Sequence, residues 1–266
     1  GLTRRPTAAR RGPGPASEPE VQAMIAFTTS HDIRTALSFH SSGGYYLYPY
    51  GYADVATPYA DVFADYAARM AKLNGYRPGP TSTRLYICNG IAPDWQVQQG
   101  IIGITPEVGW YGWWPPLDRI LLEAEDNLPA HLLMFWCAGG KVESKSLAIQ
   151  DGTLNPGTDE GVVVEVANVG WGGAEPVSVS LSCTDPGISV TQGAWSVPAL
   201  ARRTAASNLA APFVIRVAAS YPAGYAATLT VTVAQGGCAS RATYVLGAGP
   251  LCRPEDSYQY VVITSA

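Results

Sequence analysis

Ser38-Phe39-His40-Ser41-Ser42-Gly43-Gly44-Tyr45-Tyr46-Leu47-Tyr48-Pro49-Tyr50-Gly51-Tyr52 decides how the first half of this chain is read. An apolar, β-type stretch leads up to a histidine, halts at serines and glycines, and resumes as an aromatic run. Glycine carries no Cβ, so the backbone can turn there and leave room beside the imidazole for an ion or a substrate. Taken alone, a histidine that ends a strand is most often a hydrogen-bonded structural residue. The residues downstream, Tyr86, Asp94-Trp95 and Glu107, lift His40 above that reading.

Outward from this stretch, helices and apolar strands alternate. Ser17-Glu18-Pro19-Glu20 has the form of a capping box, and Val21, Met24, Ile25 and Phe27 give the helix behind it an apolar face. Ile33 to Phe39 reads as a buried strand and Tyr45 to Tyr48 as its neighbour. A second helix runs from about Ala56 to Leu73 and stops at Asn74-Gly75. Arg84 to Cys88 reads as a loop or strand end, and Ile101 to Glu107 as a short apolar strand. Pro115-Pro116-Leu117 opens a long helix that Gly139-Gly140 ends. The alternation predicts an α/β unit over residues 16–141, with 1–15 as a linker or boundary segment.

Beyond Lys141 the pattern changes. Val162 to Val166, Val177 to Leu181, Phe213 to Val217 and Thr228 to Val233 are strand-length runs separated by turn clusters such as Asn155-Pro156-Gly157 and Asp185-Pro186-Gly187. No helical period intervenes, which predicts an all-β, immunoglobulin-like sandwich over 145–236. Residues 237–266, with a strand-like run at Tyr258 to Thr264, read as a tail or the start of a further module. Trp171 and Trp195 stand apart from each other and read as core rather than as a ligand platform.

The chain has 266 residues, 14% of them charged, and a formal charge of −4, with 28 Gly and 21 Pro. This composition is globular and turn-rich, and it gives nucleic acid or an anionic membrane no electrostatic hold. No apolar run approaches the ~20 residues of a membrane span. Five cysteines show no CxxC spacing, so zinc-finger and redox readings are weak. Cys238 with Cys252 can close a short polar loop, but the sequence does not decide that pairing.

The first half resembles the later part of a zinc carboxypeptidase of the carboxypeptidase A/B type, over residues 10 to about 140. Ser38-Phe39-His40-Ser41 is similar to the strand end that presents a zinc ligand. Leu85-Tyr86 and Asp94-Trp95 resemble the family's mobile tyrosine loop, and Gly100 through Glu107-Val108-Gly109 resembles the strand presenting its catalytic glutamate. Trp114-Pro115-Pro116 and Glu125-Asp126-Asn127-Leu128 resemble its closing helix. The resemblance implies an incomplete three-layer domain, a mixed sheet with flanking helices, and zinc as cofactor with His40 as one ligand. It implies Glu107 as the group that takes the water proton and passes it to the leaving amine. Tyr86 would be the phenol that closes over bound peptide. Ser42 stands where the family usually has a tyrosine near the scissile bond. Gly51, Ile91 and Pro93 would line the pocket for the terminal side chain. No carboxylate occurs at Gly51 or from Cys88 to Pro93, and an unpaired buried Lys or Arg would be costly there. The expected preference is therefore for apolar or aromatic C-termini of peptides or proteins.

His-x-x-Glu, the pair that would complete such a zinc shell, does not occur: the third position after His31, His40 and His131 holds Arg34, Gly43 and Met134. A catalytic zinc site takes three protein ligands and a water. The expectation is a C-terminal part of a longer catalytic domain, secreted or extracytoplasmic by its family, holding no tight zinc and cleaving no peptide as it stands. His31 and His131 read as structural. A non-catalytic pseudo-enzyme, whose sandwich contacts a cell surface or polymer, is the competing reading. A metal-free hydrolase lacks a recognisable nucleophile elbow.

Overall fold

The computed structural model describes residues 13–222 and 226–246. Helix α1 spans Pro19–Thr29. The first sheet has four strands: β1 (Thr35–Leu37), β2 (Tyr45–Tyr48), β3 (Arg77–Pro80) and β4 (Ile102–Glu107), in the order β1-β4-β2-β3. It is mixed: β1 runs parallel to β4 and β2 parallel to β3, while β2 and β4 are antiparallel. Four further helices follow the early strands: α2 (Ala60–Asn74), α3 (Thr81–Arg84), α4 (Ala92–Gln98) and α5 (Leu117–Ala138).

Burial follows the periods of the sequence. Val62, Phe63, Tyr66, Ala67, Met70 and Ala71 recur at helical spacing, and they bury one face of α2 against the sheet and α5. Tyr46, Ile102 and Ile104 meet them, with Ala130, Met134 and Cys137 of α5, in one core. Burial of Ile102 or Ile104 stabilises the unit by about 1.5–3 kcal/mol each. Helix α2 stops as its Asn74-Gly75 predicts: Gly75 is left-handed at φ +76° and its amide bonds the Ala71 carbonyl at 2.8 Å.

Several expectations change. β2 is not the neighbour of β1, because β4 lies between them. The strand expected from Ile33 to Phe39 is shorter and only half-buried, since β1 is a sheet edge. Its regular pairing ends at Leu37 because Pro106, opposite, has no N–H to offer the Ser38 carbonyl. Pairing resumes one step later, with the His40 amide on the Pro106 carbonyl at 2.9 Å and the Val108 amide on the His40 carbonyl at 2.8 Å. The capping box is not formed: the Ser17 hydroxyl donates to Glu18, and α1 has no side-chain cap. The apolar face of α1 is not buried either; Val21, Met24 and Phe27 are exposed. Arg77–Pro80 forms a strand that its two prolines disguise, and an edge position tolerates them.

From Val142 the described residues form strands and turns with no helix. One sheet contains β5 (Val142–Ile149), β6 (Asp159–Asn168), β8 (Ile188–Gln192), β10 (Ala205–Ser207) and β11 (Phe213–Val217). The other has β13 (Cys238–Leu246), β12 (Ala227–Gln235), β7 (Val177–Cys183) and β9 (Ala194–Val197), in that order. Among the described residues the strands of this unit pair antiparallel, and alternate residues such as Val177, Val179 and Leu181 face a core shared by both sheets. β13 pairs with β12 along its length, within the stretch expected to be a tail. The run Tyr258 to Thr264, Cys252 and most of the segment 1–15 lie outside the described residues.

The two units are joined by more than a linker. Trp171, 6% exposed, belongs to the core of the α/β unit and stacks edge-on against Tyr59. The Tyr66 phenol donates to the Val169 carbonyl at 2.9 Å. Arg69 pairs with Asp65 and Glu143, and Arg203 with Asp65, so charges from both units share one partly buried network.

Candidate active site

Glu107 ends β4 at the middle of the sheet, and His40 lies directly beside it as the Cα partner in a parallel bridge. Partners in a parallel bridge send their side chains to the same face of a sheet. The imidazole and the carboxylate therefore share one face at the same end of adjacent strands. On the other side of β4, Tyr45 is the partner of Glu107, and the Gly44 amide bonds the Glu107 carbonyl at 2.9 Å. The backbone of Glu107 and the residue after it are thus held from both flanks. Burial pushes the Glu107 carboxyl above its ordinary range, and the charge of the nearby His40 draws it partly back. A carboxyl raised in this way both accepts and returns a proton more readily near neutral pH.

The residues expected to form the side-chain pocket also gather, around Gly51. Its amide donates to both carboxylate oxygens of Asp94, at 3.0 and 3.2 Å, and its carbonyl accepts from the Cys88 amide at 3.0 Å. A Cβ at this position would meet the Ile91 side chain at 2.7 Å and the Cys88 carbonyl at 3.1 Å. Ile91 and Cys88 thus pack so closely on Gly51 that no side chain fits at this position. Pro93 is buried in the first turn of α4, next to Asp94, which is 8% exposed. Burial raises the Asp94 carboxyl, while the amides of Gly51 and Tyr52 lower it. Asp94 is accordingly a brace that fixes the Gly51 turn.

Tyr86 is 67% exposed, in the loop after α3. It precedes Cys88, whose amide bonds the Gly51 carbonyl, by two positions. Ser42 is half-buried between His40 and the glycine pair. The other histidines lie elsewhere. His31 bonds Ser30 and the Phe27 carbonyl at the end of α1, and His131 packs edge-on against Phe39.

The residues present do not complete a zinc site. Among the described residues no group of three or more His, Cys, Asp or Glu side chains is placed to hold a metal ion. A catalytic zinc site takes three protein ligands, and His40 has no second histidine beside it among the described residues. A set of residues with no motif of its own was missed in the sequence: Tyr46, Asn74, Tyr76, Glu123 and Asn127, which meet beneath the turn that follows Glu107. The available signal was the pair Glu123 and Asn127, polar residues one turn apart that α5 buries.

The arrangement is a carboxyl of raised basicity beside an imidazole at the same end of adjacent strands. The zinc carboxypeptidase family model matches residues 3–130, a little under half of the chain. Human carboxypeptidase A5 is 33% identical over 129 residues, covering 44% of this chain and 29% of the relative. Human carboxypeptidase A6 is 39% identical over 98 residues, 34% of this chain and 22% of the relative. The solved structure of bovine thrombin-activatable fibrinolysis inhibitor, in complex with tick carboxypeptidase inhibitor, matches at 27% identity over 46% of each chain, with a TM-score of 0.44. The chain spans less than a third of the length of these two curated relatives. Among the described residues no helix is long and apolar enough to cross a membrane.

Proposed function

We propose that the protein is a secreted metallocarboxypeptidase that removes C-terminal residues from peptides, with Glu107 as the proton carrier of the reaction. The observation that carries this reading is the pairing of Glu107 with His40 on one sheet face, in a segment that the zinc carboxypeptidase family model matches. Glu107 takes a proton from the attacking water and delivers it to the departing amine. Its partial burial favours both halves of that exchange. Tyr86, on its exposed loop, is the phenol that closes over the peptide, and Ser42 flanks the scissile bond. Gly51, Ile91 and Pro93 receive the terminal side chain.

Zinc enters this reading through the family, with His40 as one ligand. Two further ligands have to come from outside the described residues, so this chain alone is expected to hold no tight zinc and to cleave no peptide. The all-β unit is read as an immunoglobulin-like sandwich that supports the catalytic unit. Elemental analysis of the natural full-length protein tests the assignment. One zinc per chain, lost on His40→Ala, is expected; a protein without zinc, or one that keeps it after His40→Ala, contradicts the reading. Stoichiometric zinc on the 266-residue chain alone contradicts the incomplete shell.

A further inference from the structure

We propose that Tyr76 and Asn127 are positioning residues for Glu107, acting through the turn Val108-Gly109-Trp110 that follows it. The proposal rests on the reading of Glu107 as the proton carrier. The Gly109 amide donates to the Tyr76 phenol oxygen at 2.7 Å, and the same oxygen accepts from the Asn127 side chain at 2.9 Å. Asn127, 1% exposed, also donates to the Glu123 carbonyl at 2.7 Å. Its own oxygen accepts from Asn74 at 3.1 Å. Asn74 donates in addition to the Tyr46 phenol at 2.7 Å, and its oxygen receives the Tyr76 amide at 3.3 Å. The Glu123 carboxylate reaches the Trp110 amide at 3.4 Å.

The network thus joins the end of α2, strand β2, the first half of α5 and the backbone two and three residues past Glu107. Gly109 fits it in two ways. Its φ of +83° lies where side chains are strained, and an added Cβ would collide with the Glu123 carboxylate. A buried polar group is costly when it loses a partner, so a connected network of this kind resists opening. Helix packing and a loop alone would hold the end of β4 less sharply. Above the turn, the Val108 amide bonds His40 and the Gly44 amide bonds Glu107, so any drift of Gly109 moves both functional residues. The Tyr76 ring completes the support by packing against Tyr46 and Trp110, at 5.2 and 5.5 Å between centroids.

Amide hydrogen exchange on this chain tests the proposal through Tyr76→Phe, which keeps the ring and removes the oxygen. Asn127→Ser attacks the same bond from the other side should the first variant fold poorly. Ile102→Val, at the opposite end of β4, is the control for a general loss of stability. The expected result is that, relative to the parent, the exchange of Gly44, Val108 and Gly109 quickens about tenfold more than that of Ser38 in the same variant. The control should quicken both groups alike. In the natural full-length protein Tyr76→Phe should lower kcat severalfold and leave KM unchanged. Uniform exchange across the sheet, or an unchanged kcat, overturns the proposal. Localised opening together with full cleavage by Glu107→Gln would instead count against the role given to Glu107 and leave the clamp standing.

Discussion

The Trp171 indole N–H donates to the Gly100 carbonyl at 2.7 Å, which places a side chain of the β unit against the loop that feeds the strand ending in Glu107. The Trp171 amide in turn bonds the Cys137 carbonyl at 2.7 Å near the end of α5, and Arg202 lies over the indole ring. The second unit is therefore built into the first.

Trp171→Ala should cost about 3–5 kcal/mol, as for other buried large aromatics. Differential scanning calorimetry should show the single transition of the parent chain divide into two as the units uncouple. A variant that melts with the parent, in one transition, would refute the coupling.

The raised Glu107 carboxyl makes a pH prediction with a definite sign. A folded chain that binds this proton more tightly than the unfolded one is favoured at acid pH, and it loses that advantage as pH rises through the folded value. Glu107→Gln removes the penalty. Melting temperatures measured across the acid to neutral range should show the variant gaining on the parent as pH rises. Parallel curves would mean that burial does not perturb the group.

Asp94→Ala should destabilise the chain by about 1–3 kcal/mol, because the buried Gly51 amide loses its acceptor. Asp94→Asn keeps one oxygen and should lose less. Denaturant unfolding of both variants measures the difference; equal losses would show that the helix terminus, rather than the Gly51 amide, is what Asp94 serves.

In the natural full-length protein, peptides ending in Phe should be cleaved faster than those ending in Arg. Asp94, the carboxylate bonded to Gly51, is engaged by backbone and offers a buried cation no free partner. Faster cleavage of the Arg-ended peptide would contradict this.

The strand ends were legible because they are local. A short apolar run, a polar or ionisable residue and a glycine punctuate the chain within a few positions, and both His40 and Glu107 carry that mark. The long amphipathic helices were legible for the same reason, by period. Strand order was not, since nothing near Thr35 or Tyr45 records that β4 inserts between them. Exposure was also beyond reach: Val21, Met24 and Phe27 read as a buried face, yet burial depends on what lies opposite, and here nothing among the described residues covers them. The Tyr76–Asn127 network was invisible because its members come from β2, the end of α2, the residue before β3, and α5, and each alone is an ordinary polar residue.

The most direct test of the account is release of the C-terminal residue from a Phe-ended peptide by the natural full-length protein and its Glu107→Gln variant, with zinc content measured on both. Loss of the proton carrier should lower kcat by about 10²–10⁴-fold while zinc stays bound. A Glu107→Gln variant that cleaves within a few-fold of the parent would contradict it.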